Sequence, residues 1–203
     1  MGSICIFQLN DIVHSRTMTT SIKCVVLGDG AIGKTCLIEV YHTNDFPAGY
    51  APFYGSTLRN ISVDVARRGK NVALEIWDTQ GQEDHDRLRP LAYPGTDVFL
   101  ITFSIINPAS FENVQAKWYY EMKRQQQKTP FIIVGLKSDL REDRETIEYL
   151  RDKRLRPITY KQGLVLARDL GAVKYMECSS LHSKGVKEIF NLVIDTYFDP
   201  YIS

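Results

Sequence analysis

At 203 residues, with 44% hydrophobic and 24% charged, the chain has the make-up of one globular domain with its own core. It needs neither disulfides nor a structural metal. Lys plus Arg number 25 and Asp plus Glu 24, a net charge of +1 that gives no electrostatic case for non-specific nucleic-acid binding. No stretch nears about 18 consecutive apolar residues, which excludes a transmembrane helix. Cys5, Cys24, Cys36 and Cys178 are scattered without zinc spacing. Cys24 and Cys178 lie in apolar runs and are expected as buried thiols. With no secretory leader pattern at the start, a cytoplasmic location is expected.

Residues 1–20 read as an N-terminal extension with a single apolar patch, Ile4-Cys5-Ile6-Phe7. Regular patterning begins at Ser21. Lys23–Leu27 is a short apolar run closed by Gly28, the pattern of a buried parallel strand. Residues 33–44 read as a helix. Ile61, Val63 and Val65 alternate with polar neighbours, as do Val72, Leu74 and Ile76. Gly69-Lys70 between the two runs predicts a hairpin. Val98–Phe103 is a continuous apolar strand. A helix over 108–126 starts from Asn107 as N-cap with Pro108 behind it. Phe131–Gly135 is a further buried strand. Residues 141–157 are strongly charged and read as a solvated, inserted helix. A helix over 160–170 stops at Gly171, a strand covers 173–178, and a last helix covers 185–198, before a short tail at 199–203. Strands alternating with helices predict a three-layer α/β sandwich: a mostly parallel six-stranded sheet with one antiparallel edge hairpin.

The chemistry concentrates at strand ends. Gly28-Asp29-Gly30-Ala31-Ile32-Gly33-Lys34-Thr35 matches the phosphate-loop pattern G-x-x-x-x-G-K-[ST] in full, after a buried strand and at the start of a helix. There the glycines let backbone N–H groups curl around phosphate oxygens, and the helix start adds positive potential. Lys34 is placed to reach the outer phosphates and the Thr35 hydroxyl to ligate Mg²⁺. Trp77-Asp78-Thr79-Gln80-Gly81-Gln82-Glu83 ends the next long strand. In it Asp78 suits Mg²⁺ through water, Gly81 the γ-phosphate and Gln82 the attacking water. Lys34, Gly81 and Gln82 are therefore the candidate catalytic groups. Gly135-Leu136-Lys137-Ser138-Asp139 follows another strand. The Asp139 carboxylate can accept a pair of hydrogen bonds that guanine offers and adenine does not, and the Lys137 stem can lie across the base. The backbone of Glu177-Cys178-Ser179-Ser180 is a source of donors for the guanine carbonyl.

Taken together, these elements over about residues 21–198 resemble the Ras superfamily of small GTPases, and within it the Rho/Rac family. The most family-like stretches are Ile22–Val26, Gly33–Leu37, Asp84–Leu91 and Pro108–Val114. The resemblance implies a P-loop NTPase fold, with 141–157 as a Rho-type insert helix. It implies a GTP/GDP switch with slow intrinsic hydrolysis acting in cytoskeleton-type signalling. Exchange factors, GTPase-activating proteins and effectors are the implied partners. Phe46 falls where the family packs an aromatic on the guanine edge, and Cys36 and Leu140 complete the implied nucleotide contacts beside the loop, Lys137, Asp139, Cys178, Ser179 and Ser180.

The sequence also departs from that family. Its switch I carries a Thr that binds Mg²⁺ in the GTP state. Here Tyr50-Ala51-Pro52-Phe53-Tyr54-Gly55-Ser56-Thr57 puts Phe53 in that place when counted forward from Phe46, and Ser56 when counted back from Asp78. Phe53 has no oxygen for a metal, so two readings stay open: Ser56 or Thr57 substitutes if Phe53-Tyr54-Gly55 bulges out, or no switch-I hydroxyl reaches the metal. Gln80 replaces the usual Ala, Leu136 replaces a polar tether to the phosphate loop, and Arg59 replaces an acidic effector residue. With no Cys after 178, C-terminal prenylation is not expected, and any membrane association would be peripheral, through partners. Two functions stay open on this reading: a slow GTP-hydrolysing switch, and a nucleotide-bound interaction protein that hydrolyses or switches poorly. A P-loop ATPase or kinase is disfavoured by the Asp139 segment.

Overall fold

A computed structural model describes residues 19–47, 58–82 and 87–200. Residues 1–18 of the extension, the switch-I residues Phe53, Ser56 and Thr57, and Glu83–Asp86 lie outside the described residues, and the extension's last residue, Thr20, is the first of β1. Six strands form one sheet, ordered β2-β3-β1-β4-β5-β6. They are β1 (Thr20–Leu27), β2 (Leu58–Arg67), β3 (Lys70–Thr79), β4 (Val98–Ser104), β5 (Phe131–Leu136) and β6 (Tyr175–Glu177). Only β2 and β3 pair antiparallel; every other pair is parallel. Their hairpin turns at Arg68 (φ 51°) and Gly69 (φ 70°). Two consecutive positive φ values match the strand twist, and glycine supplies one without strain.

Helices cover both faces at the centre of the sheet because β4, β5 and the Cys24–Leu27 part of β1 are buried at every position and cannot leave a face to water. α1 (Lys34–Thr43) and α6 (Val186–Phe198) bury Leu37, Ile38, Phe190 and Val193 against one face. The other face carries a 3₁₀ turn (Arg89–Ala92), a long helix and α5 (Tyr160–Leu170), which bury Trp118, Met122 and Ala167. The long helix starts as expected: Asn107 caps it by accepting from the Ser110 N–H at 3.3 Å, with Pro108 in the first turn. It is not uniform, however. α2 (Pro108–Asn113) runs into a π-helical stretch (Val114–Tyr119) and then α3 (Tyr120–Gln125). α5 opens on a capping box between Thr159 and Gln162 and closes at Gly171, φ 72°. The charged segment holds α4 (Arg144–Asp152), capped by Asp143 and buried only at Leu150. The last strand is shorter than the apolar run 173–178. Val173 N–H still bonds Phe131, but the ladder proper is confined to Tyr175–Glu177.

Chain order explains the position of the site. From β1 the chain crosses to β2 and β3 on one side, then returns past β1 to β4 on the other. The loops that diverge at this switch point leave a crevice at the carboxyl ends of the strands.

Candidate nucleotide site

The loop after β1 is shaped by close packing. Gly28 (φ 148°) sits where a Cβ would meet the Thr102 carbonyl oxygen at 2.4 Å, so no side chain fits between the loop and β4. Ala31 (φ 60°) and Gly33 (φ 114°) complete the curl, with Gly33 as the N-cap of α1. Among the described residues, the N–H groups of Asp29, Gly30, Ala31, Ile32 and Gly33 donate to nothing. Polar groups left so are rare in folded proteins, and here they share one concave turn. Beneath them Lys34 is only 6% exposed, and its Nζ donates to the carbonyls of Gly28 (2.8 Å) and Asp29 (2.7 Å). Burial pulls its pKa down to about 8, against the opposing pull of Asp78 and Asp29. A buried ammonium that hydrogen-bonds carbonyls, beneath a turn of free amides, is a setting that favours an added anion.

Next along α1, the Thr35 hydroxyl donates to the Asp78 carboxylate at 2.7 Å. Asp78 comes from the end of β3, held in register beside Val26; the Thr79 hydroxyl bonds the Val26 carbonyl at 2.6 Å. The chain then presses Gly81 onto the loop. A Cβ there would lie 2.1 Å from the Gly28 carbonyl oxygen and 2.5 Å from the Gly30 N. Gly30 in turn has Gln82 Cγ 3.4 Å from where its Cβ would stand, and Gln82 is exposed. The predicted catalytic groups Lys34, Gly81 and Gln82 are thus brought around one loop. Cys36 is half-buried one residue beyond Thr35.

The base loops lie alongside. Lys137 (φ 60°) sends its Nζ to the Ala31 carbonyl at 3.3 Å, and its Cε lies 3.6 Å from the Cβ position of Gly33. Asp139 and Leu140 follow in a 3₁₀ turn (Ser138–Arg141). Leu136 is buried, and its Cδ1 lies 3.9 Å from the same Gly33 position, so apolar packing stands where the family has a polar tether. The Glu177–Ser180 segment divides differently from the expectation. The Cys178 N–H donates to the Gly135 carbonyl (2.9 Å) and the Ser179 N–H to the Lys184 carbonyl (3.0 Å). Ser180 alone keeps an N–H with no partner among the described residues. Cys178 and Ser179 therefore support the loop, and Ser180 is its free donor. Phe46, 40% exposed, stands just past α1.

Sequence reasoning missed the residues that hold these loops together. Arg141 forks onto Glu177 (Nη1–Oε2 2.7 Å), and the Tyr175 hydroxyl donates to Glu177 at 2.6 Å. This joins the Asp139 turn to the Ser180 turn. Arg89, fully buried, donates to the Gln80 carbonyl at 3.0 Å and to both Glu121 carboxylate oxygens at 2.8 and 2.7 Å. In sequence Arg141 is one charge among many, and Arg89 reads as surface. Only their partners, far along the chain, mark them out.

Adjacent free amides over a buried ammonium suit a multiply charged anion. At the switch point of a doubly covered sheet, that makes the molecule a P-loop nucleotide-binding protein. A Ras family model matches residues 23–199, and the chain belongs to the Ras family. It is accordingly a small GTP-binding switch protein with the GTPase activity general to that family.

Proposed function

We propose that the chain is a Rho/Rac-type GTPase that hydrolyses GTP slowly on its own and faster with an activating protein. The observation that carries this is the turn of free amides from Asp29 to Gly33 above Lys34, with Asp139 and the Ser180 N–H alongside for the base. The Rho/Rac assignment rests on α4 in the charged insert and on the family-like stretches around Asp84–Leu91 and Pro108–Val114.

In this reading the amides of the loop and the Lys34 ammonium bind the β- and γ-phosphates, and Lys34 stabilises the charge that develops as the terminal phosphate leaves. Gly81 gives its N–H to the γ-phosphate, and Gln82 orients the attacking water. Asp139 accepts from guanine, the Lys137 stem covers the base, Phe46 flanks it, and Ser180 donates to the guanine carbonyl. Thr35 and Asp78 would hold Mg²⁺, directly and through water. A hydroxyl and a carboxylate 2.7 Å apart are hard oxygen ligands, few enough to leave the other positions to phosphate and water. When bound, the ion neutralises phosphate charge. A switching protein would take Ser56 or Thr57 as the further ligand in the GTP state, since Phe53 has no oxygen; without either hydroxyl on the metal, switch I loses its GTP-specific contact. Gly30 leaves room for an incoming arginine and the sequence offers no evident candidate in cis, so in this reading the accelerating arginine comes from a partner.

The test is to identify the nucleotide carried through purification and then follow single-turnover GTP hydrolysis with and without a Rho-type activating protein. Bound guanine nucleotide with activator-accelerated turnover supports the proposal. Bound adenine nucleotide overturns it. Guanine nucleotide that is never hydrolysed, even with activator, replaces the switch with the hydrolysis-poor interaction protein that Gln80 and the switch-I sequence favour.

A further inference from the structure

The phosphate loop contains a carboxylate that its function does not call for. Asp29 lies between Gly28 and Gly30, in a turn that receives a polyanion, and a free carboxylate there would repel it. The structure gives that carboxylate two dedicated donors. Trp118 Nε1–H bonds one oxygen at 2.7 Å, and Asn113 Nδ2–H bonds the other at 2.8 Å. Both oxygens are thereby turned toward the long helix. The helix is built for this. Asn113 and Trp118 are five positions apart, which in an α-helix of 3.6 residues per turn would place them about 140° apart around the axis. The π-helical stretch Val114–Tyr119 widens the turn to a five-residue repeat and returns Trp118 to the side of Asn113.

The same indole reaches further. Trp118 is fully buried, and the Arg89 guanidinium lies over its ring at 4.6 Å. Arg89 holds the Gln80 carbonyl, one residue before Gly81. Glu121, one helical turn after Trp118, fixes Arg89 from behind and also takes the Tyr93 hydroxyl. One tryptophan therefore contacts the phosphate loop directly and the end of β3 through Arg89.

We propose that Trp118 and Asn113 are positioning residues for the phosphate loop: they hold the Asp29 carboxylate away from the nucleotide, and through Arg89 they set the loop against the end of β3. The π-helical turn is the device that brings both donors to one carboxylate. The inference rests on the nucleotide-site reading given above and adds the residues that make the site tolerate its own aspartate.

The experiment follows release of a fluorescent N-methylanthraniloyl-GDP from the full chain. Trp118→Phe keeps the ring under Arg89 and removes only the N–H; Asn113→Ala removes the other donor. Each is expected to speed release about tenfold. Adding Asp29→Asn to Trp118→Phe, which removes the charge no longer held, is expected to return the rate to within about twofold of the parent. Release at the parent rate in both single variants overturns the proposal. So does a double variant as fast as Trp118→Phe alone, since the loss would then be packing and not charge. If Trp118→Phe fails to fold, Asn113→Ala, on a half-buried residue, carries the same comparison with Asp29→Asn. The bond itself is read without nucleotide from the Trp118 indole N–H resonance, expected downfield and exchange-protected and shifted by Asp29→Asn; an indole proton indifferent to that change also overturns the proposal. A parent chain that binds no labelled GDP, with the indole proton still responsive to Asp29, would count against the site reading and leave the contact standing.

Discussion

At the scale of the residue, Lys34 is the most constrained group in the site. Its ammonium is buried with carbonyl partners only, and burial lowers its pKa to about 8 from 10.5. In the nucleotide-free protein this costs roughly 3 kcal/mol of stability wherever the lysine is charged in both folded and unfolded states, that is below pH 8. The folded state releases its proton first as pH rises, so the cost is relieved between about pH 8 and 10.5. A phosphate beside Nζ reverses the balance and favours the charged form. GDP binding near pH 8.5 is therefore expected to take up protons, and its affinity to fall as pH rises past 8. Calorimetry in buffers of different ionisation enthalpy measures the uptake; no uptake would mean that Lys34 does not face the phosphates. Gln82, exposed beside Gly30, is expected to matter to rate more than to affinity. Gln82→Leu should slow single-turnover hydrolysis at least tenfold with GTP affinity within about threefold, and an unchanged rate would remove Gln82 from the water site. The adjacency of Lys34 and Thr35 was legible in sequence because one motif fixes their spacing around one turn, whereas Asp78 was read separately, from its place at the end of a strand. The division of labour among Cys178, Ser179 and Ser180 was not, because it depends on Gly135 and Lys184 closing against that segment.

At the scale of the element, helix starts could be read and helix interiors could not. Asn107-Pro108 and Thr159 with Gln162 announce themselves by capping chemistry that acts within one turn. The π-helical stretch leaves no such mark: the partner that Asn113 and Trp118 share across it, Asp29, is more than 80 positions away. α5 provides a test of how packing reaches the site. Gly163 faces Tyr175, and a Cβ there would lie 2.1 Å from its ring Cζ. Tyr175 is nearly fully buried and bonds Glu177, which Arg141 clamps. Gly163→Ala is expected to destabilise the fold by about 1–3 kcal/mol, and to speed GDP release by loosening the turn that carries Ser180. A thermal melt beside a release assay checks both, and a melt lowered with no change in release would separate α5 from the base loops. Arg141→Ala should show the opposite weighting, with release faster and the melt lowered less. The pair is partly buried, but Tyr175 still donates to Glu177 when Arg141 is gone, so the fold keeps a partner there while the link between the base loops is lost.

At the scale of the whole molecule, the alternation of apolar runs with helical segments was sufficient for a three-layer sheet, and the one hairpin was legible from Gly69. Strand order was not in the pattern itself; it follows from crossover handedness and from the switch point that results. The fold buries β4, β5 and most of β1 under helices on both faces and leaves Asn60, Ser62, Asp64 and Ala66 of β2 exposed. The site is where it is incomplete, with free amides and an ammonium that an anion would satisfy. The role proposed for residues 28–35 is to seat the polyphosphate of a guanine nucleotide. It is tested most directly by the thermal midpoint of nucleotide-stripped protein in Mg²⁺, titrated with GDP and with ADP. At a hundredfold excess over the dissociation constant, GDP is predicted to raise the midpoint by about 5–10 °C, with ADP near zero and both effects absent in Lys34→Ala. Equal shifts from the two nucleotides, or a GDP shift that survives Lys34→Ala, would contradict it.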